Sequence, residues 1–198
     1  MKKWLPIIII LGIILLAGAY LASLNNRLVP LDENVSAQWG NVESAYQRRA
    51  DLIPNIVNTA KGYAEFEQST LIKVTEARSK ATSIQIDPSN ITPAQLQQFQ
   101  QAQQGLTSAL SRLLAVFERY PDLKANENFK ELINELERTE NRINVERNRF
   151  NEAAKGLNVE IKKYPAKLFA GMLGFEERAY FKADEGAQNA PEVEFDFN

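Results

Sequence analysis

Apolar residues follow two patterns along this chain. Over 4–24 they run on without a charge, and from 32 onwards they return at every third or fourth position. A helix of about 20 apolar residues crosses the hydrocarbon core of a bilayer, so 4–24 reads as a transmembrane anchor in contact with membrane lipid. The rival reading is a cleaved signal peptide, with Lys2 and Lys3 as its basic start, 5–16 as its apolar core and Ala17-Gly18-Ala19 as its cleavage site. The apolar stretch continues through Tyr20, Leu21 and Ala22, past the point where a signal peptide turns polar. That continuation favours the anchor.

The periodic part predicts an all-α fold: an antiparallel bundle of about four long helices behind the transmembrane helix. Val35, Trp39, Val42, Tyr46, Arg49, Ile53, Ile56, Ala60 and Tyr63 step by threes and fours, which keeps them on one face of a helix over 32–61. Pro54 lies inside it and removes one backbone donor, so a kink is expected near 50–52. Gly62 offers a turn, and a second helix over 65–81 carries Leu71, Val74 and Ala81. Thr92, Pro93 and Gln95 form the capping-box start of a third helix. Its stripe runs Leu96, Phe99, Gln103, Leu106, Leu110, Leu113, Phe117, Tyr120 and stops at Pro121. The fourth starts at Asn126 and ends near Lys163, with a seam through Phe129, Leu136, Glu140, Ile143, Arg147, Phe150, Ala154, Leu157 and Ile161. The chain thus divides into a basic start (1–3), the anchor (4–24), a linker (25–31), the bundle (32–165) and an extension (166–198) that is partly extended or disordered.

Composition narrows the chemistry. With no Cys and no His, disulfides, thiol nucleophiles, imidazole catalysis and the usual zinc ligands are excluded. Interspersed charges summing to −2 leave no basic field to recruit nucleic acid. No calcium-loop, metalloprotease or phosphate-loop pattern is present, so no metal, cofactor or catalytic residue is assigned. Lys2 and Lys3 outweigh Arg27 across the span, which places the bundle outside the cytoplasm of an inner-membrane protein.

The informative side chains are charges at seam positions. Arg49 on the first bundle helix, and Glu140 and Arg147 on the last, fall where the stripe calls for carbon. A buried charge left unpaired costs several kcal/mol, about 3–5 when one partner of a pair is removed. The expectation is a structural ion layer of Arg49, Glu140 and Arg147 that fixes helix register, with a ligand-binding or catalytic role, or a register that leaves these side chains solvated, as the less favoured readings. Within the span, Gly18 with Ala22 and Ala19 with Ser23 are small-xxx-small pairs that permit close helix contact between copies.

Several stretches of the chain resemble the bacterial LemA family. They include Arg48-Arg49-Ala50-Asp51-Leu52-Ile53-Pro54-Asn55-Ile56-Val57, Lys61-Gly62-Tyr63-Ala64 and Ala77-Arg78-Ser79. Glu118-Arg119-Tyr120-Pro121-Asp122-Leu123, Thr139-Glu140-Asn141-Arg142-Ile143 and Arg149-Phe150-Asn151 add to them. The resemblance implies a membrane-anchored bundle of long antiparallel helices, related to a magnetosome-associated protein, with no established biochemical activity. Members have also been proposed to carry a cytoplasmic helical domain. The function expected is a membrane-tethered interaction or assembly scaffold of the cell envelope, able to bind copies of itself or an envelope protein. A secreted binding protein released by cleavage after Ala19, and a carboxylate-based hydrolase, are the alternatives.

Overall fold

The computed structural model describes residues 4–62 and 67–182. Its first element, α1 (Leu5–Lys61), is one helix of 57 residues that joins the apolar run directly to the bundle. The linker expected at 25–31 is helical, and this corrects the sequence reading. Leu24, Leu28, Leu31 and Val35 step by four, three and four, so the apolar face continues beneath the polar residues that suggested a break. Leu24 and Leu28 are fully buried. Pro30 lies within this stretch without ending the helix; the carbonyl it leaves unpaired, on Asn26, belongs to an exposed residue.

Pro54 also lies inside α1 without stopping it. Its missing N–H frees the carbonyl of Ala50, one turn earlier. Arg78 Nε donates to that oxygen at 2.7 Å, so the defect becomes a tie to the next helix. That helix is α2 (Gln68–Thr82). Tyr63 and residue 65, where helix 2 was expected to begin, lie outside the described residues, as do Lys2, Lys3 and the tail beyond 182.

α3 (Pro93–Phe117) opens with the expected box: the Thr92 hydroxyl accepts from the Gln95 N–H, and Gln95 Oε1 accepts from the Thr92 N–H. A short α4 (Pro121–Ala125) leads to α5 (Glu127–Lys162), where Asn126 Oδ1 accepts from the Phe129 N–H at 3.0 Å. After Lys162 come α6 (Ala166–Phe169) and a single 3-10 turn, Gly171–Leu173. Gly174 reverses the chain with φ +85°, a left-handed conformation that costs glycine little. Residues 175–182 then run back along α5 without helix or strand.

α1 packs antiparallel along α5, α2 along α3, and α2 against α1. Arg27 to Glu160 at 3.3 Å and Arg48 to Glu135 at 2.6 Å mark the register at the two ends of the α1/α5 pair. The core has two parts. One, nearer the span, gathers Leu24, Leu28, Val35, Trp39, Phe99, Phe150, Leu157 and Phe181. The other, distal, gathers Ile53, Ile56, Val74, Leu106, Leu113, Phe129 and Leu136.

Candidate functional site: the Arg49 layer and the strap on α5

Between the two apolar clusters lies a polar layer. Arg49 follows Tyr46 and precedes Ile53 on α1, Gln103 falls between Phe99 and Leu106 on α3, and Glu140 between Leu136 and Ile143 on α5. Arg49 is only 1% exposed. One Arg49 Nη nitrogen donates to Glu140 Oε2 at 2.6 Å and to Thr107 Oγ1 at 3.1 Å; the other donates to Gln103 Oε1 at 2.7 Å. Its guanidinium carbon lies 5.0 Å from the Tyr46 ring centroid, a cation–π distance. Gln103 is fixed in turn, its amide donating to the carbonyl of Ala81 at 3.3 Å. Arg49 Nε has no hydrogen-bond partner among the described residues.

The pair is asymmetric. The Glu140 side chain is 43% exposed, so one end of the ion pair meets solvent while the other is sealed. Arg147 sits two turns further along α5. It donates to the carbonyl of Lys182 at 2.8 Å and stacks 5.1 Å from the Phe181 ring. It lines the same cleft of about 310 Å³ as Arg49 and Glu140, together with Gln100, Gln104 and Ser108.

The seam of α5 follows the expected line except at its two charged positions, where Thr139 and Glu146 are buried in place of Glu140 and Arg147. Its buried positions are Phe129, Leu136, Thr139, Ile143, Glu146, Phe150, Ala153, Ala154, Leu157, Asn158 and Ile161. Glu146, rather than Arg147, is the charged residue most deeply placed on this helix, and Arg149 Nη1 donates to both its oxygens at 3.1 and 3.2 Å.

Two asparagines on α5 hold the returning segment. Asn158 donates to the carbonyl of Arg178 and accepts its N–H, both at 2.8 Å. Asn151 does the same for Phe181 at 3.0 and 2.8 Å. Seven helical residues rise about 10.5 Å, and three residues of extended or polyproline-II chain cover about 9–10 Å. The spacings therefore match. The strap carries its own buried cation: Arg178 Nη2 meets Asp32 Oδ1 at 2.7 Å. Its Phe181 ring enters the aromatic cluster, 6.0 Å from Trp39 and 5.5 Å from Phe150.

Sequence reasoning missed Arg178 and Asp32, because a strap without periodicity carries no burial signal. The asparagine pair was visible as a heptad step at 151 and 158, continued backwards by Asn144. In the span, Gly18, Ala19, Ala22 and Ser23 are all exposed, and nothing lies within 4 Å of a Cβ placed on Gly18. The helix beginning near Ile7 is long and apolar enough to cross a membrane. Among the described residues no three acidic side chains converge as a metal site would need.

A sequence model of the LemA family matches residues 38–195, from inside α1 through the strap. Magnetosome protein MamQ 2 of Paramagnetospirillum magneticum is 27% identical over 79% of this chain and 64% of its own length. Magnetosome protein MamQ of Magnetospirillum gryphiswaldense shows the same identity and coverage. Protein LemA of Metamycoplasma hominis is 27% identical over 81% of this chain and 69% of its own length. The chain thus spans less than two-thirds of the magnetosome proteins it matches. None of these relatives bears an enzyme's name. The family match takes in the Arg49 layer, the asparagine clamps and most of the bundle, and the chain belongs to the LemA family.

Proposed function

We propose that this protein is a membrane-tethered interaction and assembly module of the bacterial cell envelope, held in the inner membrane by 4–24 and without catalytic activity. The observation that carries this reading is the continuity of α1. Of the thirteen consecutive residues 7–19, all are exposed except Gly12, which is half-buried. Leu24, one turn after Tyr20, is already 0% exposed in the bundle core. Anchor and bundle therefore share one rigid element, which suits a protein that presents its surface at a fixed height above a bilayer.

The clefts favour binding over catalysis. The acidic group lining the cleft beside Arg49 is Glu140, already engaged by the guanidinium. A larger groove of about 960 Å³ includes Glu43 and Asp51. Eight residues apart on one helix, they are separated by about 12 Å of rise, whereas paired-carboxylate hydrolysis needs about 5–9.5 Å.

The test is the mass of the protein recovered from membranes, combined with native mass spectrometry of the full chain in nanodiscs. A mature protein retaining 1–24 that forms a defined oligomer supports the proposal. A mature N-terminus at Tyr20 would make it the secreted binding protein instead. A full chain monomeric at every concentration would remove self-assembly and leave tethering of an envelope partner.

A further inference from the structure

We propose that the α6–Leu173 turn is a second membrane contact, a wedge that enters the lipid interface beside the end of the span. The inference deepens the tethered reading and rests on it. Its first support is position. Antiparallel register pairs Arg27 with Glu160 and would place a Cβ built on Gly156 at 4.0 Å from Leu31 Cδ2, so α5 ends level with Leu24. The α6 turn that follows Lys162 therefore reaches α1 on the span side of Leu24. Tyr20, inside the apolar run, meets Phe169 edge-on with centroids 6.0 Å apart. Tyr20 lies about 6 Å of helix rise below Leu24, and interfacial segments bury their apolar face by about 5–10 Å.

The second support is what the turn exposes. Tyr164, Leu168 and Met172 are 75%, 62% and 79% exposed. They fall within nine residues, whereas the other large apolar side chains exposed on the bundle, Val29, Ile72, Val145, Val159 and Tyr180, are scattered along it. An exposed apolar cluster in water marks a contact surface. The occupant that fits is the bilayer itself, since Phe169 in the same turn packs on Tyr20 of the helix proposed to cross it. The rim is basic: Lys162, Lys163 and Lys167 follow one another around the turn. Lys162 Nζ meets Glu177 Oε2 and Lys163 Nζ meets Glu160 Oε2, each at 2.7 Å, and lysine stems of this kind can lie along apolar surface with the charge held at its edge. Tyr164, with Lys167 Nζ 5.9 Å from its ring, has the amphipathic build of an interfacial aromatic.

The chain has no cysteine, so single cysteines can be placed freely. Met172→Cys, Leu168→Cys, Ile13→Cys and Ile72→Cys versions of the full chain are labelled with an environment-sensitive NBD dye and reconstituted in phosphatidylcholine/phosphatidylglycerol vesicles. Either orientation of insertion gives the same reading. Emission at 172 and 168 should shift to the blue of that at 72 and be lost when lipid with a nitroxide just below the headgroup is included. A nitroxide deep in the acyl chain should instead quench position 13. Water-like emission at 172 and 168 with position 13 buried in lipid would overturn the wedge and leave the anchor. Water-like emission at 13 as well would overturn both. Apolar emission at 172 that fades as protein is diluted into excess lipid would mean that a second copy covers the turn, and would also overturn the wedge.

Discussion

Replacing the half-exposed member of the buried ion pair should cost more than replacing the buried one. In Glu140→Ala, Arg49, 1% exposed in the native bundle, is left with its charge uncompensated, since a guanidinium does not shed its proton. Thr107 and Gln103 still accept from it, but both are neutral. Removing one partner of a buried pair costs about 3–5 kcal/mol. In Arg49→Met, the remaining carboxylate is 43% exposed and turns to water, so little charge penalty survives. What remains is the loss of one donor to the buried Gln103 Oε1, about 1–3 kcal/mol, with methionine filling most of the vacated volume. The double variant should therefore resemble Arg49→Met alone, giving a coupling of about 2 kcal/mol or more against the 0.3–0.5 expected of independent sites. Urea unfolding of the full chain in detergent, followed by circular dichroism, measures all four corners of the cycle. A Glu140→Ala cost no greater than that of Arg49→Met, or additive changes, would refute the claim that Glu140 neutralises a sealed cation.

Other consequences can be checked singly. Arg78→Met should cost about 1–3 kcal/mol by stranding the Ala50 carbonyl, and distinctly less in a Pro54→Ala background, where the helix supplies that donor itself. Asn151→Ala removes both hydrogen bonds to Phe181; trypsin should then cut after the exposed Lys182 at least several-fold faster, in line with a local opening made easier. The Asp87 carboxyl is held below its usual range by the Ser89 hydroxyl and then the Ser89 N–H. It favours the folded state above the ordinary carboxylate range and loses that effect as pH falls through its lowered value, so Ser89→Ala should move its NMR titration upward. Protease added to spheroplasts should digest the bundle if Lys2 and Lys3 set the orientation; complete protection until lysis would place it on the cytoplasmic side.

The helical stripes were legible because burial on a helix repeats with the turn. Every residue expected on the α1 seam from Val35 to Ala60 is buried, and so is the α3 stripe from Leu96 to Phe117. Arg49 and Gln103 were visible for the same reason: an interruption in a periodic pattern marks a layer. On α5 the apolar positions of the stripe are likewise buried, and the reasoning slipped by one residue only at its two charged positions. Long side chains at 140 and 147 border the seam closely enough to look central, while Thr139 and Glu146 take the buried sites. The linker was misjudged because Asn25, Asn26, Arg27 and Pro30 carry turn chemistry, although Leu24 and Leu28 beneath them are core. The strap was beyond reach. Its order comes from side chains of α5 reading its backbone, and backbone recognition leaves almost no trace in the residues being recognised.

The placement of the two attachments has a mechanical consequence. A single span leaves a domain free to tilt and to turn about the helix axis. On the tethered reading the span enters the bundle as the first part of α1, so rotation of one is rotation of the other, and a wedge at Leu168 and Met172 would stop the bundle leaning away from its side of α1. A body held at fixed height and tilt still turns about the bilayer normal but has already lost part of the freedom that association otherwise removes, a term of about 4–15 kcal/mol for free partners. Copies confined to one bilayer also meet at high effective concentration. Weak contacts between exposed bundle faces then suffice for assembly, and no large apolar interface is required. On this argument, releasing the wedge with Leu168→Glu and Met172→Glu should weaken lateral association of the full chain in vesicles while leaving the bundle folded. Unchanged association would show that the span alone sets the geometry.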